Sequence, residues 1–352
     1  MRSFKSIQLL TILFFSIAIN AQEAATEKYK VTRDVLWATP GNTELHMDIY
    51  SPEENDNRLP VLIIYHGGGW LINTKSIMDE MSEYIAGTGK YVVCNVDYRL
   101  LTANNNTTPM NAIIEDAMGA VLWVKENIRD YGGDPEQIAV TGDSAGGQLA
   151  AMVMQGQELL GACGLSASQI CFKPTYMPEG VVVETVKKEN LLAVQAAVIS
   201  YPATDLLAAC SGNGPGTGFE SASNFFWEMG NGKPRGIFGD SLNAKDHSSL
   251  YKKVSPIYTI PEERKLPPIF CHVGEEDNTT PPAAVGAYVN SLRERGADVL
   301  YKVYPDQPHA YLDSGSNEFL GTSFENNAIG PIRDIISFLD NVFYQATGSE
   351  KE

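Results

Sequence analysis

The sequence predicts an α/β protein: a mostly parallel central sheet with helices on both faces, carried by one domain. Three observations point there. Apolar runs of strand length recur near 30–37, 43–50, 60–66, 91–96, 137–141, 194–200, 268–273 and 299–304. Helical periodicity lies between and after the later runs, clearest at 110–128 (Met110, Ile113, Ile114, Ala117, Val121, Val124, Ile128) and again at 281–295 and 331–345. Early strands followed by such βα alternation build a parallel sheet. Length alone would permit two domains, but the candidate reactive residues run from Gly67 to His309, which argues for one.

Taken in order, residues 1–21 read as an export signal. Arg2 and Lys5 form the basic start, Ile7 to Ile19 the apolar middle, and Ile19-Asn20-Ala21 a cleavage site before Gln22. The apolar stretch falls short of the about 20 residues that favour a spanning helix. No cysteine near the cleavage point offers a lipid anchor. The mature chain, 22–352, is therefore expected to be secreted or periplasmic, with no stable membrane insertion. Losing two basic and no acidic residues moves the formal net charge from −17 to −19. Such a surface repels phosphate backbones, which excludes nucleic acid as a partner.

The strand Pro60-Val61-Leu62-Ile63-Ile64-Tyr65 runs into His66-Gly67-Gly68-Gly69-Trp70. Three consecutive glycines cost chain entropy and pack nothing. They make sense where backbone amides must approach a ligand. The run Gln137-Ile138-Ala139-Val140-Thr141 then leads into Gly142-Asp143-Ser144-Ala145-Gly146, with a helix-compatible stretch from Gly147 to Gln155. That is strand, sharp turn and helix, with a serine at the apex lifted clear of the sheet. Ser144 is the candidate nucleophile, and the amides of Gly67, Gly68 and Ala145 are the candidate oxyanion donors. An HGGG-type loop paired with a G-x-S-x-G elbow is a known pattern for acyl transfer.

Two segments exceed the usual connections of about 2–6 residues in α/β units. They are roughly 156–192 and 207–262. Insertions after the elbow helix are expected over the active-site edge, as a cap. Trp70, Phe226 and Trp227 are the candidate substrate contacts, with packing of the insertion onto the core as the alternative for the latter two. Cys94 and Cys271 lie in apolar strand runs and read as buried, while at most one pair among Cys163, Cys171 and Cys210 is expected to bridge. No metal-like CxxC and no HExxH occurs. No metal site and no cofactor is expected.

The base must follow the serine in the order serine, acid, histidine. Only His247, His272 and His309 do so. His272 lies inside an apolar run and reads as a packed strand residue, and His247 sits in a polar stretch with no strand before it. His309 follows the strand 299–304 by a short loop, at the sheet edge where ligands gather. It is the candidate base. The acid should end the preceding strand, where Glu275, Glu276 and Asp277 all stand, with Asp205 as an outside candidate.

The chain resembles the hormone-sensitive-lipase-like esterases of the α/β-hydrolase fold. The resemblance rests on His66-Gly67-Gly68-Gly69-Trp70, Asp97-Tyr98-Arg99-Leu100, Tyr131-Gly132-Gly133-Asp134-Pro135 and Gly142-Asp143-Ser144-Ala145-Gly146-Gly147. It continues weakly through Tyr201-Pro202-Ala203-Thr204-Asp205 and covers most of residues 30–345. It favours Asp277 as the acid. It also implies serine-esterase chemistry without a cofactor, on a small-molecule or carbohydrate-bound ester. With the export signal, the chain looks most like secreted bacterial esterases that remove acetyl or feruloyl groups from plant polysaccharides. Relatives often continue Tyr-Arg-Leu with Ala-Pro-Glu, whereas Leu101-Thr102-Ala103-Asn104-Asn105-Asn106 stands here. A peptidase or amidase of the same fold, and a hydrolase-fold binding module without catalysis, are the rival expectations.

Overall fold

The computed structural model describes residues 29–53, 57–212 and 218–345. The expected export signal, 1–21, lies outside the described residues, as do 213–217 of the second insertion. Eight strands form one sheet: β1 (Tyr29–Ala38), β2 (Leu45–Pro52), β3 (Leu59–Tyr65), β4 (Val92–Val96), β5 (Gly133–Asp143), β6 (Ala196–Ser200), β7 (Ile269–Gly274) and β8 (Val299–Tyr304). Their order is β1-β2-β4-β3-β5-β6-β7-β8. The pairs β1–β2 and β2–β4 are antiparallel, and every pair from β4 to β8 is parallel. All eight expected strands are present. The one marked boundary change is β5, which starts at Gly133, opposite Leu59 across a register shift.

The central strands read as continuous apolar runs because both faces are covered. Every residue of β3, β4, β6 and β7 is buried. That is the pattern of a parallel sheet with helices on each side. Those helices include α1 (Asp79–Ala86), α2 (Met110–Asn127) and α3 (Ala145–Gln155); α4 (Phe225–Met229) lies in the second insertion, and α5 (Pro282–Glu294) and α6 (Ile329–Asp340) follow it. The last ends as a helix at Asp340 and continues as a wider π turn over Asn341–Gln345. Among the described residues no helix is long and apolar enough to cross a membrane.

Helix α3 is buried along its whole length and α2 nearly so. The cover on α2 comes from the segment 156–192. Thr175 N–H donates to Glu115 O at 2.9 Å, Arg99 donates to Thr175 Oγ1 at 3.2 Å, and the Tyr176 hydroxyl meets Glu126. This corrects an expectation: 156–192 wraps the outside of α2 instead of capping the serine. The reason is that the segment leaves the carboxyl end of α3, remote from the elbow at its amino end. Cys163 and Cys171 form a disulfide within it, while Cys94 and Cys271 are free and buried and Cys210 is free.

Candidate active site

Ser144 sits at the carboxyl end of β5 with φ 52° and ψ −112°, followed at once by α3. The flanking glycines are there for close approach. A Cβ on Gly146 would lie 1.9 Å from Tyr65 O, and one on Gly142 would lie 2.3 Å from Gly146 O. Any side chain at either position would push the elbow off β3. Ser144 N–H donates to Ser200 O of β6 at 2.9 Å, so the apex is pinned from both neighbouring strands.

His309 stands between the other two groups. Its Nε2 is 2.9 Å from Ser144 Oγ and its Nδ1 is 2.7 Å from Asp277 Oδ2. The carboxylate of Asp277 is held on every side: Oδ1 accepts Thr279 N–H at 2.9 Å and Thr280 N–H at 2.8 Å, and Oδ2 accepts Thr280 Oγ1 at 3.0 Å. Asp277 is buried, whereas Glu275 and Glu276 are exposed. Asp205 is a helix cap instead, accepting from Ala208 N–H and from the Tyr258 hydroxyl. His247 precedes a short helix with its ring beside Asn243 N–H. His272 is fully buried in β7, where burial pushes its pKa down to about 3.

The glycine loop after β3 is fixed from outside. The Tyr98 hydroxyl donates to His66 O at 2.6 Å and its ring stacks on the His66 ring at 4.4 Å. Leu71 and Ile72 N–H donate to Gly68 O at 3.1 and 3.0 Å. Arg99 locks its own segment by a fork to Asp116. Motifs Asp97-Tyr98-Arg99 and His66-Gly67-Gly68-Gly69 are therefore one unit. Within it, Gly67 departs from expectation. A Cβ there would lie 2.2 Å from Asp143 Oδ2, and the Gly67 amide interacts with that carboxylate. It is turned under the elbow. The amides of Gly68, Gly69 and Ala145 meet no protein acceptor among the described residues.

Asp143 is buried beneath this loop, and burial pushes its carboxyl up to about 6, opposed by the nearby His309 and the Gly67 amide. Burial and Asp143 together push the Asp313 carboxyl up as well.

Two of the expected substrate contacts are core residues. Trp227 is fully buried, donating Nε1–H to Phe219 O at 2.9 Å. Trp70 is buried too, its Nε1–H donating to Gln148 Oε1 at 3.1 Å and its ring set edge-on to Phe219 at 5.5 Å. Trp70 joins the second insertion to α3 and Trp227 packs within that insertion, because burial of so large a ring outweighs display of it. Phe226 is different. It is half-buried, lies where a Cβ on Gly69 would sit 3.5 Å away, and stacks on the exposed Phe225 at 4.3 Å. The segment 207–262 thus reaches the glycine loop from above.

The BD-FAE family profile matches residues 47–292, which run from within β2 to within α5 and hold both glycine motifs, Ser144 and Asp277. The chain belongs to the BD-FAE family. Its kin are serine esterases of the hormone-sensitive-lipase-like group, on the α/β-hydrolase fold. Carboxylesterase NlhH of Mycobacterium tuberculosis is 37% identical over 139 residues, which is 40% of this chain and 42% of NlhH. Esterase LipQ of the same organism is 30% identical over 288 residues, 80% of this chain and 57% of LipQ. The chain thus spans about half the length of these curated relatives. The solved structure of Thermogutta terrifontis esterase 2 with propionate bound shares the fold, with a TM-score of 0.61 at 19% identity over 90% of this chain and 95% of that one.

Sequence reasoning missed several residues of this BD-FAE site. Thr280 binds Asp277 and the Tyr201 carbonyl, at 2.9 Å to the latter, and stands 3.3 Å from His309 Nδ1. Its place three residues past the acid was the available signal. Arg235 donates to the carbonyls of Leu101, Asn106 and Thr108 at 2.6–2.7 Å. It holds the unusual Asn104-Asn105-Asn106 turn, whose three residues all have positive φ. Nothing local in the sequence links Arg235 to that turn.

Proposed function

We propose that this chain is an exported serine carboxylesterase acting on short acyl or aryl-acyl esters, acetyl or feruloyl groups on carbohydrate. One observation carries the reaction class: the His309 ring bridging Ser144 Oγ and Asp277 Oδ2 at 2.9 and 2.7 Å. Ser144 Oγ attacks the ester carbonyl carbon while His309 Nε2 takes its proton. The carbonyl oxygen becomes an oxyanion, held by the amides of Gly68 and Ala145 with Gly69 beside them, in place of the Gly67 amide that Asp143 occupies. The tetrahedral centre collapses, the C–O bond breaks, and His309 gives the proton to the departing alcohol. Water then attacks the acyl-enzyme with the same proton path, and the acid leaves. Asp277 fixes the tautomer of His309 and stabilises its charged form.

The names of NlhH and LipQ, a carboxylesterase and an esterase, support the reaction class. The stacked Phe225–Phe226 pair above the glycine loop supports an aryl group or sugar face as substrate. The Cys163–Cys171 disulfide supports export, because such bonds persist in oxidising compartments. The test is kcat/KM across nitrophenyl esters from acetyl to palmitoyl, beside acetylated xylan and methyl ferulate, with Ser144→Ala as the control. Each methylene that a fitting acyl tunnel buried would gain about 0.8 kcal/mol, so a lipase would rise steadily with chain length. A maximum at the long-chain end, with no release from either plant-type substrate, rejects the substrate reading.

A further inference from the structure

The loop that carries His309 is tied on both sides of the base, by Glu276 N–H to Gln307 O at 3.0 Å and by Ser314 N–H to Ile77 O at 2.8 Å. It leaves β8, the last strand of the sheet order, whose one strand neighbour is β7. It also contains two non-glycine residues in the left-handed region, Asp306 at φ 56° and Ala310 at φ 60°, the second adjacent to His309. Backbone in that region persists only where surrounding contacts over-determine it.

Between those ties, the segment just after His309 is held by a buried polar bridge outside the triad. His272 in β7 places Nε2 2.9 Å from Ser200 Oγ in β6 and Nδ1 2.5 Å from the Tyr311 hydroxyl. Tyr311 lies two residues past His309. Ser200, at the other end, is the residue whose carbonyl accepts Ser144 N–H. The bridge therefore runs from the strand that pins the nucleophile to the loop that carries the base. Ser200, His272 and Tyr311 are all 1% exposed or less. Tyr201 fills the space between. Its N–H donates to His272 O at 2.6 Å, and its ring meets Tyr311 at 4.7 Å and the His309 ring edge-on at 5.0 Å. Its hydroxyl accepts Leu312 N–H at 3.3 Å.

An apolar residue at 272 would fill a strand position between β6 and β8 without desolvating an imidazole. Burying a polar group costs free energy unless each of its partners is present. Here both ring nitrogens are satisfied, so the group contributes geometry more than net stability. Fully satisfied buried networks rigidify and select one arrangement.

We infer that His272 is a positioning residue, which through Ser200 and Tyr311 sets the height and tilt of His309 over Ser144. The inference rests on the esterase reading given above. The neutral ring accepts through one nitrogen and donates through the other, so it relays a direction from β6 to the loop. Displacing a reacting group by about 1 Å costs on the order of 10²-fold in rate. A bridge of this kind should therefore show in turnover, with substrate binding left nearly unchanged.

The experiment compares Tyr311→Phe, Ser200→Ala and the double variant His272→Leu/Tyr311→Phe with wild type and Ser144→Ala, on nitrophenyl acetate. Tyr311→Phe removes one hydroxyl, keeps the ring contacts, and leaves His272 Nδ1 unpaired. Its kcat should fall roughly tenfold to a hundredfold with KM within about twofold, and its melting temperature should drop. The double variant removes the imidazole and the hydroxyl together and leaves only Ser200 Oγ without its partner, so its melting temperature should recover in part while kcat stays low. Recovery of kcat along with stability in the double variant would reduce the bridge to a structural role and overturn the inference. An equal fall in kcat/KM through KM alone would do the same. Ser200→Ala, the smallest change, should lower kcat with the fold intact, and it carries the test if the double variant does not fold. The rate at which Ser144 is phosphonylated by an active-site-directed phosphonate should fall in parallel. Loss of activity in Ser144→Ala with wild-type kcat in all bridge variants defeats this inference alone. Retained activity in Ser144→Ala defeats the esterase reading itself.

Discussion

Replacing Ser144 by glycine should make the protein more stable than replacing it by alanine. The nucleophile sits at φ 52° and ψ −112°, a combination outside the left-handed well that non-glycine residues reach. Holding a side chain there costs roughly 1–3 kcal/mol. Alanine keeps the Cβ, so it keeps the strain while losing the hydroxyl contact to His309. Glycine loses the same contact but adopts these angles without steric penalty. Against this, glycine gains freedom in the unfolded chain, which lowers stability by about 0.4–1 kcal/mol. The balance favours glycine over alanine by about 1 kcal/mol. For a chain this long that corresponds to a melting temperature higher by about 1 °C. The assay is reversible urea unfolding of the two variants side by side, with scanning calorimetry if refolding fails. Both should lose turnover by on the order of 10⁶, so activity cannot confuse the comparison. A glycine variant equal to or less stable than the alanine variant would show that the elbow stores no strain. Backbone strain would then play no part in raising Ser144.

Further outcomes are expected elsewhere. Asp277→Asn should keep the fold and lower kcat by on the order of 10⁴, read by steady-state kinetics, because the amide no longer fixes the His309 tautomer. His272, with its pKa pushed down from 6.5 to about 3 by burial, binds fewer protons folded than unfolded between those values. Its contribution to stability is therefore complete above pH 6.5 and lost as pH falls, by up to about 1.4 kcal/mol per unit and on the order of 5 kcal/mol in all. Urea unfolding from pH 7 to pH 4 should show a shallower acid loss in His272→Leu than in wild type. Trp227→Ala should destabilise by roughly 3–5 kcal/mol in the same assay. Phe226→Ala should instead raise KM for methyl ferulate with little change in melting temperature.

The sequence by itself determined the order of the strands along the chain and the chemical identity of the reacting groups. Buried strands must be apolar and uninterrupted, so β3, β4, β6 and β7 announced themselves as short runs. The edge strand β8, with Leu300, Lys302 and Val303 exposed, was legible from its place after the helical period 281–295. The elbow was legible because Gly142 and Gly146 leave no room for a Cβ, a constraint written in two letters four positions apart. Ser144 and the candidate His309 followed from local context, and the choice of Asp277 among three neighbouring carboxylates from resemblance. Burial and four hydrogen bonds set Asp277 apart from Glu275 and Glu276 in the folded chain. Only the tertiary structure decided which glycine amides stay free, because the position of Asp143 under the loop depends on how β3 and β5 pair. It also decided that Trp70 and Trp227 are buried, whereas Phe225 is left exposed and Phe226 partly so. An aromatic residue carries the same hydrophobic drive at every position, and which ring finds space in the core depends on contacts with residues far along the chain. The bridge from Ser200 through His272 to Tyr311 spans 111 positions and leaves no pattern in any short window of sequence. Long-range side-chain geometry of that kind exists only after the strands have chosen their neighbours.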